Sequence, residues 1–379
     1  MVKKEIAHKL RIGILTLNGH YNYGNRLQNF ALQTLLQNLV PKSSIETIWY
    51  THNNYALDKK LPIFELKNIR RYLFNRHSYR DEFNSNLWMN DYIREYNIKK
   101  FSDRYLNIKY DYRVKNDLND RYDYFVVGSD QVWNPHWVNS NDVFLEFASP
   151  HKRIAYAASV GVSEIPKDKQ EFFKKGLDGM AKISVREYAG ANIVKELTDK
   201  VVPVVLDPTL TLTGEQWSEI IQRPAWYKDE KYIMVFFLSK LPDLVRVEIE
   251  RIAKENDLEI IDLMDKSKID YYTSSPEEFL YLIKHASLVY TDSFHCTVFS
   301  ILFETAFVNC SRENMGMNMD SRMDTLLGMF GFENRKAEKN KGYAVENPLE
   351  MNWVDVEKIL EPEREKARKY LLSALGIIS

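Results

Sequence analysis

Four short segments of this sequence hold the side chains best suited to chemistry. Each joins a charged or hydrogen-bonding group to small residues that leave the backbone open. In Asn22-Tyr23-Gly24-Asn25-Arg26, the glycine permits a tight path and the Arg26 fork matches a phosphate or carboxylate. At a helix start, exposed N–H groups around Asn25 would add to such an anion site; the alternative is an Asn-capped turn with a solvated arginine. In Gly128-Ser129-Asp130-Gln131-Val132-Trp133-Asn134, the polar groups of Ser129, Gln131 and Asn134 suit a polyol, and Trp133 offers an apolar face to a sugar. Asp130 has the chemistry of a base toward a hydroxyl. The alternative there is an Asx-type turn with Trp133 in the core. Ser184-Val185-Arg186-Glu187 presents either an anion-binding arginine or an Arg186–Glu187 surface pair. In Thr291-Asp292-Ser293-Phe294-His295-Cys296-Thr297, His295 can donate to an anionic oxygen or move a proton, among the hydroxyls and carboxylate of Ser293 and Asp292. Cys296 lies in an apolar run with Val298, Phe299 and Ile301 and reads as a small buried residue, not a nucleophile.

These segments share a position: each follows a short apolar run of strand length and precedes a helical pattern. The runs are Arg11 to Leu17, Tyr124 to Val127, Ile183 to Val185 and Ser287 to Thr291. Further strands are expected at Ile45 to Tyr50, Arg153 to Ala157, Val201 to Val205, Tyr232 to Leu238 and Leu258 to Leu263. Helical spacing joins Leu27, Phe30, Ala31, Leu35 and Leu39, and helices are also expected near 167–180, 188–197, 244–255, 276–284 and 296–305. Strands alternating with helices predict an α/β fold with parallel sheets. Asp207-Pro208 breaks the rhythm, which then restarts. The chain therefore divides into an N-terminal α/β domain over 1–208, a smaller C-terminal one over 209–340 and a charged helical tail over 341–379, in which Pro362 predicts a kink or break. Residues 51–120, rich in Asn, Tyr, Arg and Lys, read as a partly helical insertion in the first domain. In open sheets of this kind ligands bind beyond the carboxyl ends of the strands, where the four segments fall.

Composition narrows the function from the other side. The 379 residues carry 52 basic and 53 acidic side chains, a net charge of -1 that gives no global attraction to nucleic acid. Two cysteines exclude a disulfide framework, and no CxxC, HxxxH or HExxH pattern points to a metal. Asp320 and Asp324 share a possible helix face, but nearby Arg322 reads as their ion-pair partner. No apolar run reaches the roughly 18 residues of a membrane helix, and the expected location is the cytoplasm. Lys67 to Arg80 mixes basic and aromatic residues and suits peripheral contact with anionic lipid at the inner membrane face; a solvated helix is the alternative.

Taken in order, NYGNRLQNFALQ at 22–33, VVGSDQVWNP at 126–135, ISVRE at 183–187, VVLDPTL at 204–210 and TDSFHCTVFS at 291–300 resemble the polysaccharide pyruvyl transferase family. The segment 318–322 before Leu326-Leu327-Gly328 is similar to the family's C-terminal pattern. The resemblance implies two Rossmann-like domains facing across a cleft in a GT-B-like arrangement. It implies phosphoenolpyruvate as donor substrate with no separate cofactor, a sugar of a surface polysaccharide or its lipid-linked precursor as acceptor, and a pyruvate ketal as product. On that footing Arg186 is the anion clamp and His295 a phosphate ligand or general acid. Asp130 or Asp292 orients or deprotonates the acceptor, and Arg26 adds donor charge. Cys296 stands where the family usually has Gly, and His20-Tyr21 where a Gly-Asp type sequence is usual. The rival readings are a GT-B-type nucleotide-sugar glycosyltransferase and a non-catalytic sugar-binding assembly protein.

Overall fold

The computed structural model describes residues 9–49, 87–109, 115–138, 140–312 and 320–378. Much of the expected insertion, including Lys67 to Arg80, lies outside these residues. The first sheet contains β1 (Arg11–Leu15), β2 (Ser44–Ile48), β3 (Ile108–Lys109), β4 (Tyr124–Val127), β5 (Arg153–Ala158) and β6 (Lys182–Val185), in the spatial order 3-2-1-4-5-6 and parallel throughout. The second contains β7 (Tyr232–Phe236), β8 (Glu259–Asp262), β9 (Leu288–Thr291), β10 (Phe307–Cys310) and β11 (Lys336–Ala337), in the order 11-10-9-7-8, again parallel. Strands buried on both faces explain the continuous apolar runs: every residue of YIMVF in β7 is buried. Strand order reverses direction at β1/β4 in the first sheet and at β7/β9 in the second, so each sheet opens a crevice there.

The helices that bear on the site are α1 (Tyr23–Leu39), α2 (Leu87–Tyr105), α3 (Gln170–Asp178), α4 (Tyr188–Thr198), α5 (Asp243–Asn256), α6 (Pro276–Lys284), α7 (Phe294–Leu302), α8 (Ser321–Phe330) and α9 (Val356–Ala374). Asn22 caps α1, accepting from the Asn25 amide, while Ser275 and Glu278 form a reciprocal capping box on α6.

Three expectations are corrected. Val201 to Val205 is no strand, only a Val185–Val204 bridge, because Pro203 has no N–H to offer a ladder. Helix α9 runs through Pro362 without a break, held by the buried stripe Val356, Leu360, Arg364, Ala367 and Leu371. Nor is α9 a separate tail: Ala367, Leu371 and Ala374 join the core of β1, β4 and β5 with Ile12, Ile14, Val126 and Ile154, and the Tyr370 hydroxyl donates to Ala155 O at 2.7 Å. Its first turn instead enters the second domain's core through Val356 and Leu360.

Helix α2 leaves the first sheet and straps the two domains together. Arg94 Nη1 donates to the Leu263 and Tyr272 carbonyls at 3.2 and 2.6 Å, with its guanidinium over the Tyr23 and Tyr272 rings. Asn90 and Asn97 donate to Lys266 O and Thr273 O. From α1, Tyr23 stacks on Phe279 and donates to Ser274 O at 2.7 Å.

Candidate functional site

The two crevices face each other, and all four segments meet between them. Arg186 follows β6, is buried, and lies among three carboxylates: Asp207 at 2.7 Å, Asp130 at 3.5 Å and Glu187 at 3.8 Å. Its other face covers the Phe294 ring at 4.2 Å. Burial works against its charge, but the carboxylates outweigh burial and raise its pKa. Glu187 is no surface partner: its Oε1 accepts from Ser159 Oγ and from the Val160 and Gly161 amides, fixing the turn after β5.

Asp207 is the hub of the cluster, and reading the sequence only as a break in the strand rhythm passed over it as a site residue. One oxygen accepts from Arg186 and from Ser129 Oγ at 2.9 Å; the other accepts from the Thr209 amide at 3.0 Å and hydroxyl at 2.7 Å. Burial would raise its pKa, yet His295, Arg186 and Thr209 hold it well below the usual carboxylate range. The signal that pointed to it was its place inside the VVLDPTL segment at 204–210.

His295 comes from the opposite domain, in the first turn of α7. Its Nε2 lies 3.6 Å from Asp207 and its ring rests on Gly24 at the start of α1. A Cβ on Gly24 would overlap His295 Nδ1, so the glycine is required by the contact between domains. Gln28 links the first two segments, accepting from the Ser129 amide and donating to Thr16 Oγ1. Asp130 has φ 61°, a left-handed conformation that Asp tolerates and that turns its carboxylate toward Arg186.

The remaining predicted residues divide. Asn25 supplies a capping amide, and Arg26 is buried against the Trp49 ring with Nη2 donating to Leu17 O and does not line the cleft that Arg186 lines. Trp133 is a core residue: it stacks on Phe144 and donates to Val143 O, so its ring faces no sugar. Asn134 and Gln131 are buried with their side-chain amides 2.7 Å apart. Ser293 caps α7. Asp292 accepts from the Leu238 and Ser239 amides and the Ser239 hydroxyl, with Arg312 at 3.3 Å, and so braces the β7/β9 crevice. Cys296 is buried, and burial pushes its thiol up to about 12.

Arg322, read from sequence as a partner of Asp320 and Asp324, points elsewhere. Lys336 takes both carboxylates, at 3.1 and 2.6 Å. Arg322 is buried at the start of α8, against Gln131, whose amide oxygen, turned toward it, accepts at 3.2 Å. Burial, then Arg312 and Arg186, push its pKa down, the mark of positive charge in excess of its local compensation.

Arg186, Asp207, Phe294 and Arg322 line one part of a cleft of about 700 Å³ that extends between α4 and α8 and reaches α9. The floor thus sets two buried guanidinium groups among carboxylates and hydrogen-bonding groups, and Arg322, the less compensated of the two, is the better placed to hold an anion.

A model of the polysaccharide pyruvyl transferase family matches residues 22–314. Comparison with curated protein sequences returns no match. Among solved structures, the chain is similar to UDP-GlcNAc 2-epimerase from Methanocaldococcus jannaschii, with TM-score 0.51, 13% identity and coverage of 92% of this chain and 95% of that one. It is also similar to UDP-N-acetylglucosamine 2-epimerase from Rickettsia bellii, with TM-score 0.48, 10% identity and coverage of 97% and 98%. The first likeness is one of fold, and the arrangement is GT-B-like: two Rossmann-like α/β domains across a cleft. No helix among the described residues is long and apolar enough to cross a membrane.

Proposed function

The chain belongs to the polysaccharide pyruvyl transferase family, and from that premise we propose that it moves the enolpyruvyl unit of phosphoenolpyruvate onto two hydroxyls of one sugar. The acceptor is a surface-polysaccharide sugar or its lipid-linked precursor. A proton is added to the donor's methylene carbon and a sugar oxygen bonds to the central carbon. The carbon–phosphate oxygen bond then breaks, and a second sugar oxygen closes the ketal. Of the two hydroxyl protons released, one balances the new methyl group and the other leaves with phosphate. The reading needs no cofactor beyond the donor.

The observation that supports it best is the meeting of Arg186 and Asp207, which line the cleft, with Ser129 of the same domain and His295 of the other. Arg186 and Arg322 bind the donor's carboxylate and phosphate. His295 serves as phosphate ligand or general acid, and Asp207 orients it together with Arg186. Asp130 orients or deprotonates the acceptor; Asp292, whose oxygens already serve the β7/β9 crevice, does not. The reading places the protein in the cytoplasm, at the inner face of the membrane when the acceptor is lipid-linked.

A donor test separates this from a nucleotide-sugar glycosyltransferase of the same fold. Phosphoenolpyruvate should raise the melting temperature, whereas UDP and GDP should not. It should also release phosphate only with a hexoside or lipid-linked acceptor present. Stabilisation by UDP or GDP alone would overturn the proposal.

A further inference from the structure

The cleft is much larger than a three-carbon acid phosphate requires. Its volume of about 700 Å³ falls in the range that encloses a drug-sized ligand, roughly 300–1,000 Å³. Its charged floor is only one part. The rest is lined by apolar side chains, Met329 and Ile359 among them, and by groups on three elements that sequence places far apart: Tyr188 at the start of α4, Asp324 and Thr325 on α8, and Glu363 and Lys366 on α9.

Tyr188 is the unusual member. It stands two residues from Arg186, yet it is 67% exposed while Arg186 is buried. An exposed tyrosine alone needs no explanation. This one lines a cleft whose other exposed side chains are polar. Glu363 and Lys366 lie 3.3 Å apart, and Asp324 pairs with Lys336, so carboxylate and ammonium groups line the same cleft as the aromatic ring. A ring face carrying negative quadrupole charge attracts the polarised C–H face of a pyranose. Fixed carboxylates and an ammonium take that sugar's hydroxyls as donors and acceptors.

We propose that Tyr188, with Asp324, Thr325, Glu363 and Lys366, forms a subsite for a neutral hexopyranose, distinct from the anion-binding floor at Arg186 and Arg322. This deepens the transfer reading and rests on it for the sugar's identity as acceptor. The binding claim stands by itself. A pyranose on Tyr188 lies next to the donor position, because the backbone joins Tyr188 to Arg186 through Glu187, whose carboxylate is tied down by Ser159, Val160 and Gly161.

The test uses the full chain and methyl hexopyranosides of galacto, gluco and manno configuration, followed by saturation-transfer NMR. At least one should receive saturation mainly on the C–H protons of one ring face. Tyr188→Ala should weaken its Kd at least 5-fold, while Tyr188→Phe keeps it within 2-fold. Glu363→Gln with Lys366→Met should weaken the same sugar without moving the melting temperature. Phosphoenolpyruvate should stabilise Tyr188→Ala as much as the natural protein. Equal sugar affinity in Tyr188→Ala, or no binding by any of the three sugars, overturns the subsite. Sugar binding without stabilisation by phosphoenolpyruvate would leave the subsite standing and sink the transfer reading instead.

Discussion

Asp207→Asn is the sharpest test of the site's construction. The substitution keeps shape and removes charge from a buried carboxylate that accepts from Arg186, Ser129 Oγ and both donors of Thr209. Removing one member of a buried ion pair costs about 3–5 kcal/mol. Arg186 keeps Asp130 at 3.5 Å and Glu187 at 3.8 Å, longer contacts than the 2.7 Å to Asp207, so the lower end, about 3 kcal/mol, applies. At roughly 2–4 °C per kcal/mol for a domain of this size, the melting temperature should fall by about 6–12 °C. Asp130→Asn removes a weaker partner and should cost about 1 kcal/mol. Differential scanning calorimetry reads the shift, and a phosphate-release assay should show Asp207→Asn nearly inactive even at a temperature where it is fully folded. If Asp130→Asn proved the more destabilising, or Asp207→Asn melted within about 1 °C of the natural protein and kept turnover, Asp207 would not be the hub.

Arg322→Met should leave the protein as stable or more stable, because its charge is disfavoured by burial and by Arg312 and Arg186. It should nevertheless raise the donor KM at least 10-fold, as loss of one or two charge-assisted hydrogen bonds would; a melting-temperature loss with unchanged KM refutes the assignment. Arg94→Ala leaves the Leu263 and Tyr272 carbonyls without their donor and should cost about 2–4 kcal/mol by urea unfolding, with Asn97→Ala costing less. His20, stacked on Trp49, has its pKa pushed down to about 3 by burial, then by Arg26 and Lys99. The folded state therefore prefers neutral imidazole, its contribution is complete above about pH 6.5, and it is lost progressively as pH falls toward 3. Between pH 7 and pH 5 His20 should account for about 2 kcal/mol of lost stability, and His20→Gln should flatten that slope in urea titrations.

The strand-end logic carried most of the site. Arg186, Asp130, Ser129 and His295 were legible because each ends an apolar run, and topology brings such ends to the crevices where strand order reverses. Asp207 ends no regular strand: Pro203 prevents one, and the backbone arrives there through a single bridge. Arg322 was misread because spacing along α8 set it beside Asp320 and Asp324, while Lys336, on β11, supplied their partner from another part of the chain. Trp133 shows the same limit, since a tryptophan after a strand can turn either way and only Phe144 and the Val143 carbonyl decided it. The two-residue β3 and β11 escaped notice because edge pairing, not a long apolar run, defines them, and β10, though paired on both sides, is only four residues long. In β10, four buried residues follow α7 almost directly, with Glu304 in a left-handed turn between them.

Helix α9 has a consequence for how the molecule comes into being. A ribosome delivers the six strands of the first sheet early, yet the stripe Ala367, Leu371 and Ala374 that shields them emerges only after the whole second domain. Until then the cluster around Ile12, Ile14 and Ile154 has Leu32, Leu35 and Leu36 of α1 but lacks its α9 members, so the nascent first domain is incomplete until its partner is made. Maturation of the Asp207 loop waits with it, since Arg364 of the same helix donates to the Leu210 and Leu212 carbonyls that follow that loop. The order of synthesis thus puts completion of the Asp207 loop after both halves of the chain have been made.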